Sequence, residues 1–231
     1  MKKMLIIIAT VWLVLGLNYG ASAWIYMPNY GDTGWQTYTY TAGPAGFTGT
    51  VGFVASNVID TSAYPELLLD NLKGGGGTNL GFENGLTGYT LVGGSSANVT
   101  GSVTAYSYTR YTPTEGIAFA DLQGLYNGVA TSQFSNASGQ AGTVGSILER
   151  VITLNSGATF SFDWAFLAGD MSPWNDFALF YLKDQNGIVF SMGLAQIGSA
   201  PAVPIPASFL LLGSGLLGLL GLAWKGKKQA G

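Results

Sequence analysis

Few side chains in this 231-residue sequence could do chemistry, and their types narrow it sharply. There is no histidine and no cysteine. Ser-His-Asp and Cys-His nucleophilic catalysis therefore lack their base, and zinc lacks its usual ligands. Twelve Asp and Glu residues remain. Two carboxyls roughly 5–9 Å apart suffice for glycoside hydrolysis. The candidates are Asp163 with Asp170 or Asp176. The acids are scattered, however, and most flank Gly, Asn or Ser, where carboxylates cap turns. The reading is a non-enzymatic protein. Calcium is a better use for loop carboxylates, since it takes about six to eight oxygen ligands, many of them carbonyls. No D-x-D-x-D-G loop is present. Aromatic rings that could stack on sugars are Trp35, Trp174, Tyr106, Tyr108 and Tyr111, with Trp174 in a loop, Ser172-Pro173-Trp174-Asn175. The alternative use of aromatics is core filling, which Phe160, Phe162 and Trp164 are expected to do.

These residues must be positioned by strands. Residues 35–41 alternate, and residues 48–55 form a second strand with Val51 and Phe53 on one face. Residues 66–70 are apolar enough to be covered on both faces. Gly74 to Gly77 lacks the Lys-Ser/Thr of a phosphate loop and reads as a linker and the best candidate for an internal boundary. The strand pattern resumes at 80–83, 89–92, 97–111 and 117–122; residues 123–142 read as loop with one short strand. Residues 144–154 are apolar on both faces, and their β-branched residues favour strand over helix. In residues 159–166, Phe160, Phe162, Trp164 and Phe166 face one way and Ser161, Asp163 and Ala165 the other. Residues 177–182 and 188–195 form a hairpin around Asp184-Gln185-Asn186-Gly187. Short strands between Gly/Asn/Asp turns predict an all-β antiparallel sandwich of jelly-roll type. Asp60, Glu66, Leu72 and Lys73 recur 110 positions later as Asp170, Asp176, Leu182 and Lys183, which is either a repeat with a truncated first unit or chance.

Both ends carry signals. Lys2 and Lys3, an apolar run over 4–17 and Ala21-Ser22-Ala23 make a secretory signal peptide, cleaved by signal peptidase so that the mature chain begins at Trp24. At the other end Val203-Pro204-Ile205-Pro206 precedes an uncharged run, 207–224, and then Lys225, Lys227 and Lys228. The prolines cannot continue a helix and should stay extended. At about 1.5 Å per residue the run spans roughly 27 Å, just enough for a hydrocarbon core of about 30 Å. The lysines favour the cytoplasmic side. Between the signals, residues 24–78 are a β segment, either part of the sandwich or a truncated repeat, and 79–200 the main domain. That exported part has four basic residues against twelve acidic ones, a net charge of −8. It has no electrostatic footprint for nucleic acid, and anionic lipid surfaces should repel it.

The tripartite order over residues 203–228 resembles the PEP-CTERM sorting signal of Gram-negative bacteria, with Ile205 where that family usually has glutamate. The resemblance implies processing by an exosortase, a transient or permanent stay in the inner membrane, and a role in exopolysaccharide or biofilm at the cell surface. An ordinary membrane anchor is the alternative. Residues 82–89, Phe82-Glu83-Asn84-Gly85-Leu86-Thr87-Gly88-Tyr89, resemble the opening of jelly-roll carbohydrate-binding modules. Residues 160–167, with Asn175-Asp176-Phe177, resemble the closing strands of exported anchor domains. By that likeness Glu83, with Asp170 or Asp176, would hold a structural calcium ion; of the aromatic candidates, Trp35 and Trp174 are the ones expected to face sugar. The function these readings imply is an adhesive or structural surface domain, with a carbohydrate-binding module or, distantly, a glycoside hydrolase as alternatives.

Overall fold

The computed structural model describes residues 24–200. The expected cleavage site at Ala21 and Ala23, the Val203–Pro206 motif, the apolar run 207–224 and the basic stop lie outside these residues. Among those described, no helix is long and apolar enough to cross a membrane.

Among the described residues, fourteen strands form two main sheets and a small hairpin. In the first sheet the order is β1 (Ile25–Met27), β14 (Gly187–Ile197), β13 (Phe177–Asp184), β3 (Phe47–Ser56), β11 (Val144–Leu154) and β10 (Val129–Ala130), with β5 (Thr90–Leu91) also on β11. The second runs β2 (Gln36–Thr41), β12 (Thr159–Leu167), β4 (Glu66–Lys73), β9 (Phe119–Gln123) and β6 (Ser96–Thr100). Pairing is antiparallel except for β1 on β14. The described part of the chain is therefore all-β and sandwich-like.

The alternation read from the sequence decides which side chains meet between the sheets. Val51 and Phe53 of β3 and Phe180 of β13 pack against Phe160, Phe162 and Phe166 of β12 and Leu67 and Leu69 of β4. Ring centroids of Phe53 and Phe162 are 4.9 Å apart, edge to face, and those of Phe162 and Phe180 are 5.1 Å apart. A Phe162→Ala change in such a core costs about 3–5 kcal/mol.

β4 is covered on both faces, as its apolar run required. Its other face and that of β12 contribute Leu68, Ala165 and Leu167 to a second cluster under a hairpin of β7 (Val103–Thr104) and β8 (Arg110–Tyr111). On the outer face of the first sheet, Val54, Ile147, Leu179 and Tyr181 are covered by Phe134, from the polar stretch read as loop.

Three expectations change. Gly75–Gly77 is a single 3-10 turn, not a boundary: strands from both sides of it share both sheets. Residues 80–83 form turns rather than a strand, with Phe82 buried and stacked on Tyr89 at 5.0 Å. Residues 97–111 are three short strands, and Tyr106 and Tyr108 sit in the turn between β7 and β8, with Tyr108 at φ +65°.

Candidate functional site

Strand register sorts the acidic residues between the two ends of the second sheet. Asp163 of β12 lies directly opposite Asp70 of β4, toward one end; Glu66 pairs with Leu167 and with Gln123, toward the other.

At the first end the carboxylates are filled by donors. Asp70 accepts from the backbone N–H of Asn71 (2.7 Å), Thr114 (2.5 Å) and Glu115 (3.0 Å). Asp163 accepts from the Thr37 hydroxyl at 2.6 Å and the Asn71 amide at 2.9 Å. The Thr114 hydroxyl lies 3.0 Å from Asp70 and 2.8 Å from Asp163, so its single proton ties the two together. Burial alone would raise Asp163, but the bonds from Thr37, Asn71 and Thr114 outweigh it and hold the carboxyl below its usual range. Glu83 also belongs to this end, accepting from the backbone N–H of Ile117 at 3.0 Å and of Ala118 at 3.3 Å.

At the second end donors are scarce. Glu66 and Asp121 lie diagonally across β4 and β9 on the face beneath the β7–β8 hairpin. Asp121 is buried; Gln123 donates to its Oδ2 at 2.8 Å, and its Oδ1 has no partner. Among the described residues no donor reaches the Glu66 carboxyl. Burial and the Asp121 charge both push Glu66 up, and burial pushes Asp121 up against the bond from Gln123.

Glu66 lines a cavity of about 340 Å³ with Thr104, Ala105, Tyr106 and Tyr108. Tyr106 is 58% and Tyr108 89% exposed. Tyr30 packs on Tyr106 with centroids 5.9 Å apart. Tyr64 is close enough to feel the charges of Glu66 and Asp121, which raise its hydroxyl further after burial has done so. Asp32 fixes the hairpin above this end. It accepts from the Ser107 and Tyr111 hydroxyls and from the Gly34 N–H at 3.2 Å. Tyr30 and Tyr108 are held at φ +54° and +65°, a region that bulky residues rarely adopt and that is over-represented where a site is being shaped.

The residues singled out in the sequence separate. Glu83 is at the opposite end from Asp170 and Asp176, so the three do not form one calcium set. Among the described residues no three His, Cys, Asp or Glu side chains are gathered to hold a metal ion. Asp170 and Asp176 do remain neighbours. Asp176 is fully buried; its Oδ1 accepts from the Val58 N–H at 2.9 Å and its Oδ2 has no partner. Burial pushes its carboxyl up to about 9 against the bond from Val58, with Asp170 and Asp60 adding to the rise. Asp163 faces neither Asp170 nor Asp176 across a cleft, because Asp70 and Thr114 occupy its surroundings.

Trp35 is half-buried, edge-on to Tyr111 at 5.8 Å and Phe119 at 5.6 Å, with its N–H on the Thr112 carbonyl at 3.1 Å; it is part of the hairpin's packing. Trp174 is half-buried in the turn that its backbone N–H closes onto the Met171 carbonyl. The sequence named Tyr106 and Tyr108 but placed them on a strand, and it missed Glu66 and Asp121 as a pair.

No protein family, curated protein or solved structure matches this chain.

Proposed function

We propose that this chain is an exported cell-surface or extracellular-matrix protein of a Gram-negative bacterium, sorted by an exosortase, whose jelly-roll-like sandwich is a non-catalytic module that adheres to exopolysaccharide. The observation that carries the sorting half is the order of Val203-Pro204-Ile205-Pro206, an uncharged run and three lysines. The folded domain fits between the two signals, since its first strand begins at Ile25 and its last ends at Ile197. Adhesion is supported by the tyrosine-rimmed cavity: exposed rings offer flat apolar faces to sugar, and the Glu66 carboxyl beside them can accept a hydroxyl hydrogen bond. Filled carboxylates at the other end of the sheet favour binding over hydrolysis, because Asp163 is engaged by its own neighbours.

The test is fractionation of the native host carrying Pro204→Ala together with Pro206→Ala. Unaltered protein is expected outside the inner membrane with the extracellular polysaccharide, and the doubly substituted protein held in the membrane. Identical distribution of the two would refute sorting through this motif.

A second reading, calcium as a structural ion, is favoured by the unpartnered Asp176 Oδ2. Asp170 and Asp176 could hold calcium only with carbonyl oxygens completing the shell, since Glu83 is elsewhere.

A further inference from the structure

The cavity under the β7–β8 hairpin combines features that point to one chemical class of ligand. Two carboxyls lie on neighbouring strands at this end, and only one of them lines the cavity. One of them, Asp121, is buried with an oxygen that nothing satisfies. The other, Glu66, lines the cavity and receives no donor among the described residues. Among the described residues no basic side chain pairs with either; Arg110, opposite Thr104 on β8, is exposed. Buried acids without a counter-charge are costly, and the cost falls when a cation arrives. An anionic ligand would meet the same-sign charge of both groups. A bare metal ion needs about six to eight oxygens, whereas much of the remaining lining is aromatic. A tyrosine rim beside carboxyls suits an ammonium group attached to a body with an apolar face, because ring faces attract cations and pack against C–H surfaces. The volume, about 340 Å³, is at the low end for small-ligand sites.

We propose that this cavity binds a protonated amino sugar unit of a glycan, with the ring on Tyr106 and Tyr108 and the ammonium group on Glu66, whose acidic surroundings the buried Asp121 behind it reinforces. The assignment rests on the glycan-adhesion reading and narrows it to polysaccharides with free amino groups. Asp32 supports the site from outside: by holding Ser107 and Tyr111 it fixes the turn that carries both tyrosines.

The test is titration calorimetry of the protein recovered from its own host, with three probes: a glucosamine tetrasaccharide, the N-acetylated tetrasaccharide and spermidine. Glucosamine tetrasaccharide is expected to bind at least about tenfold more tightly than either of the others. Glu66→Gln, which keeps the shape, should remove about that tenfold, and Asp184→Asn in the β13–β14 turn should not change it. Melting temperatures establish that the variants fold. Should Glu66→Gln fail to fold, Tyr108→Ala, at an exposed turn position, must weaken the same titration. Equal binding of spermidine would overturn the sugar assignment. Equal binding of the N-acetylated probe, unaffected by Glu66→Gln, would overturn the role of the carboxyls while leaving glycan adhesion standing. No binding of any probe would overturn the site, and adhesion itself would fail only if the protein also failed to sediment with its host's own exopolysaccharide.

Discussion

The two ends of the second sheet use the same side-chain type in opposite ways. At one end Asp70, Asp163 and Glu83 are surrounded by backbone N–H groups, hydroxyls and an amide. At the other, half-buried Glu66, buried Asp121 and, beyond the strand ends, buried Asp176 have few donors. Carboxylates that receive several hydrogen bonds tie strands and loops together, and at Asp163 those bonds hold the carboxyl below its usual range. One that lacks them is pushed toward its neutral form and weakens the fold wherever it must ionise. The contrast separates carboxyls that hold the structure from carboxyls that are available to a ligand. It does so without any ion pairs at these sites; the one ion pair among the described residues, Lys183 with Glu149, is on the first sheet.

The largest effect should come from breaking the filled end. Asp70→Ala strands the N–H groups of Thr114 and Glu115 and leaves Asp163 without its shared hydroxyl arrangement. A loss of about 3 kcal/mol is expected, measured as a lower denaturant midpoint at unchanged slope. A loss below about 0.5 kcal/mol would erase the distinction between the two ends.

Asp176→Asn should act in the other direction. The folded-state carboxyl is raised above its unfolded value of 3.8, so the folded state binds the extra proton between about pH 4 and pH 9. Stability tied to this group is fully present below the unfolded value and is lost as pH rises through the folded one. Glu66 and Asp121 share that sign. The melting temperature of the native protein should therefore fall between pH 5 and pH 9. Asp176→Asn should flatten the slope and gain at least about 1 kcal/mol at pH 8. A native melting temperature that rises across this range would contradict the assignment.

Calcium sharpens the same comparison. If Asp176 Oδ2 is a ligand, millimolar calcium raises the melting temperature of the native protein at pH 8 and leaves Asp176→Asn unmoved, because an ion bound only by the folded state must stabilise it. No shift in the native protein removes the calcium reading. The smallest effect is reserved for Lys183→Met. The pair is half-buried, but Glu149 keeps the Tyr181 hydroxyl as a partner, so the loss should stay under about 1 kcal/mol, and added salt should alter the native protein and the variant almost equally.

Much of the fold was legible because period-two alternation is a local property. β11 occupies the span read as a strand over 144–154, and β12 buries the aromatic face that Phe160, Phe162, Trp164 and Phe166 announced. The turn at 184–187 was equally plain from Asp and Gly. The site was less legible. Glu66 and Asp121 meet only through the register of β4 against β9, which no local pattern encodes. Tyr106 and Tyr108 alternate like strand residues, and nothing in their types shows that Tyr108 adopts a left-handed conformation, a role that sequence reasoning gives to glycine or asparagine. Glu83, Asp170 and Asp176 all sit beside turn residues, so their types alone did not reveal that the first lies at the far end from the other two.

The most direct test of the account as a whole is the intact mass of the protein purified from its own host, with and without the host's exosortase. A chain that begins at Trp24 and ends between Val203 and Ala207 when the exosortase is present, and runs to Gly231 when it is absent, is the predicted result. A mass extending to Gly231 in both hosts would make the apolar run a permanent anchor and contradict delivery to the extracellular matrix.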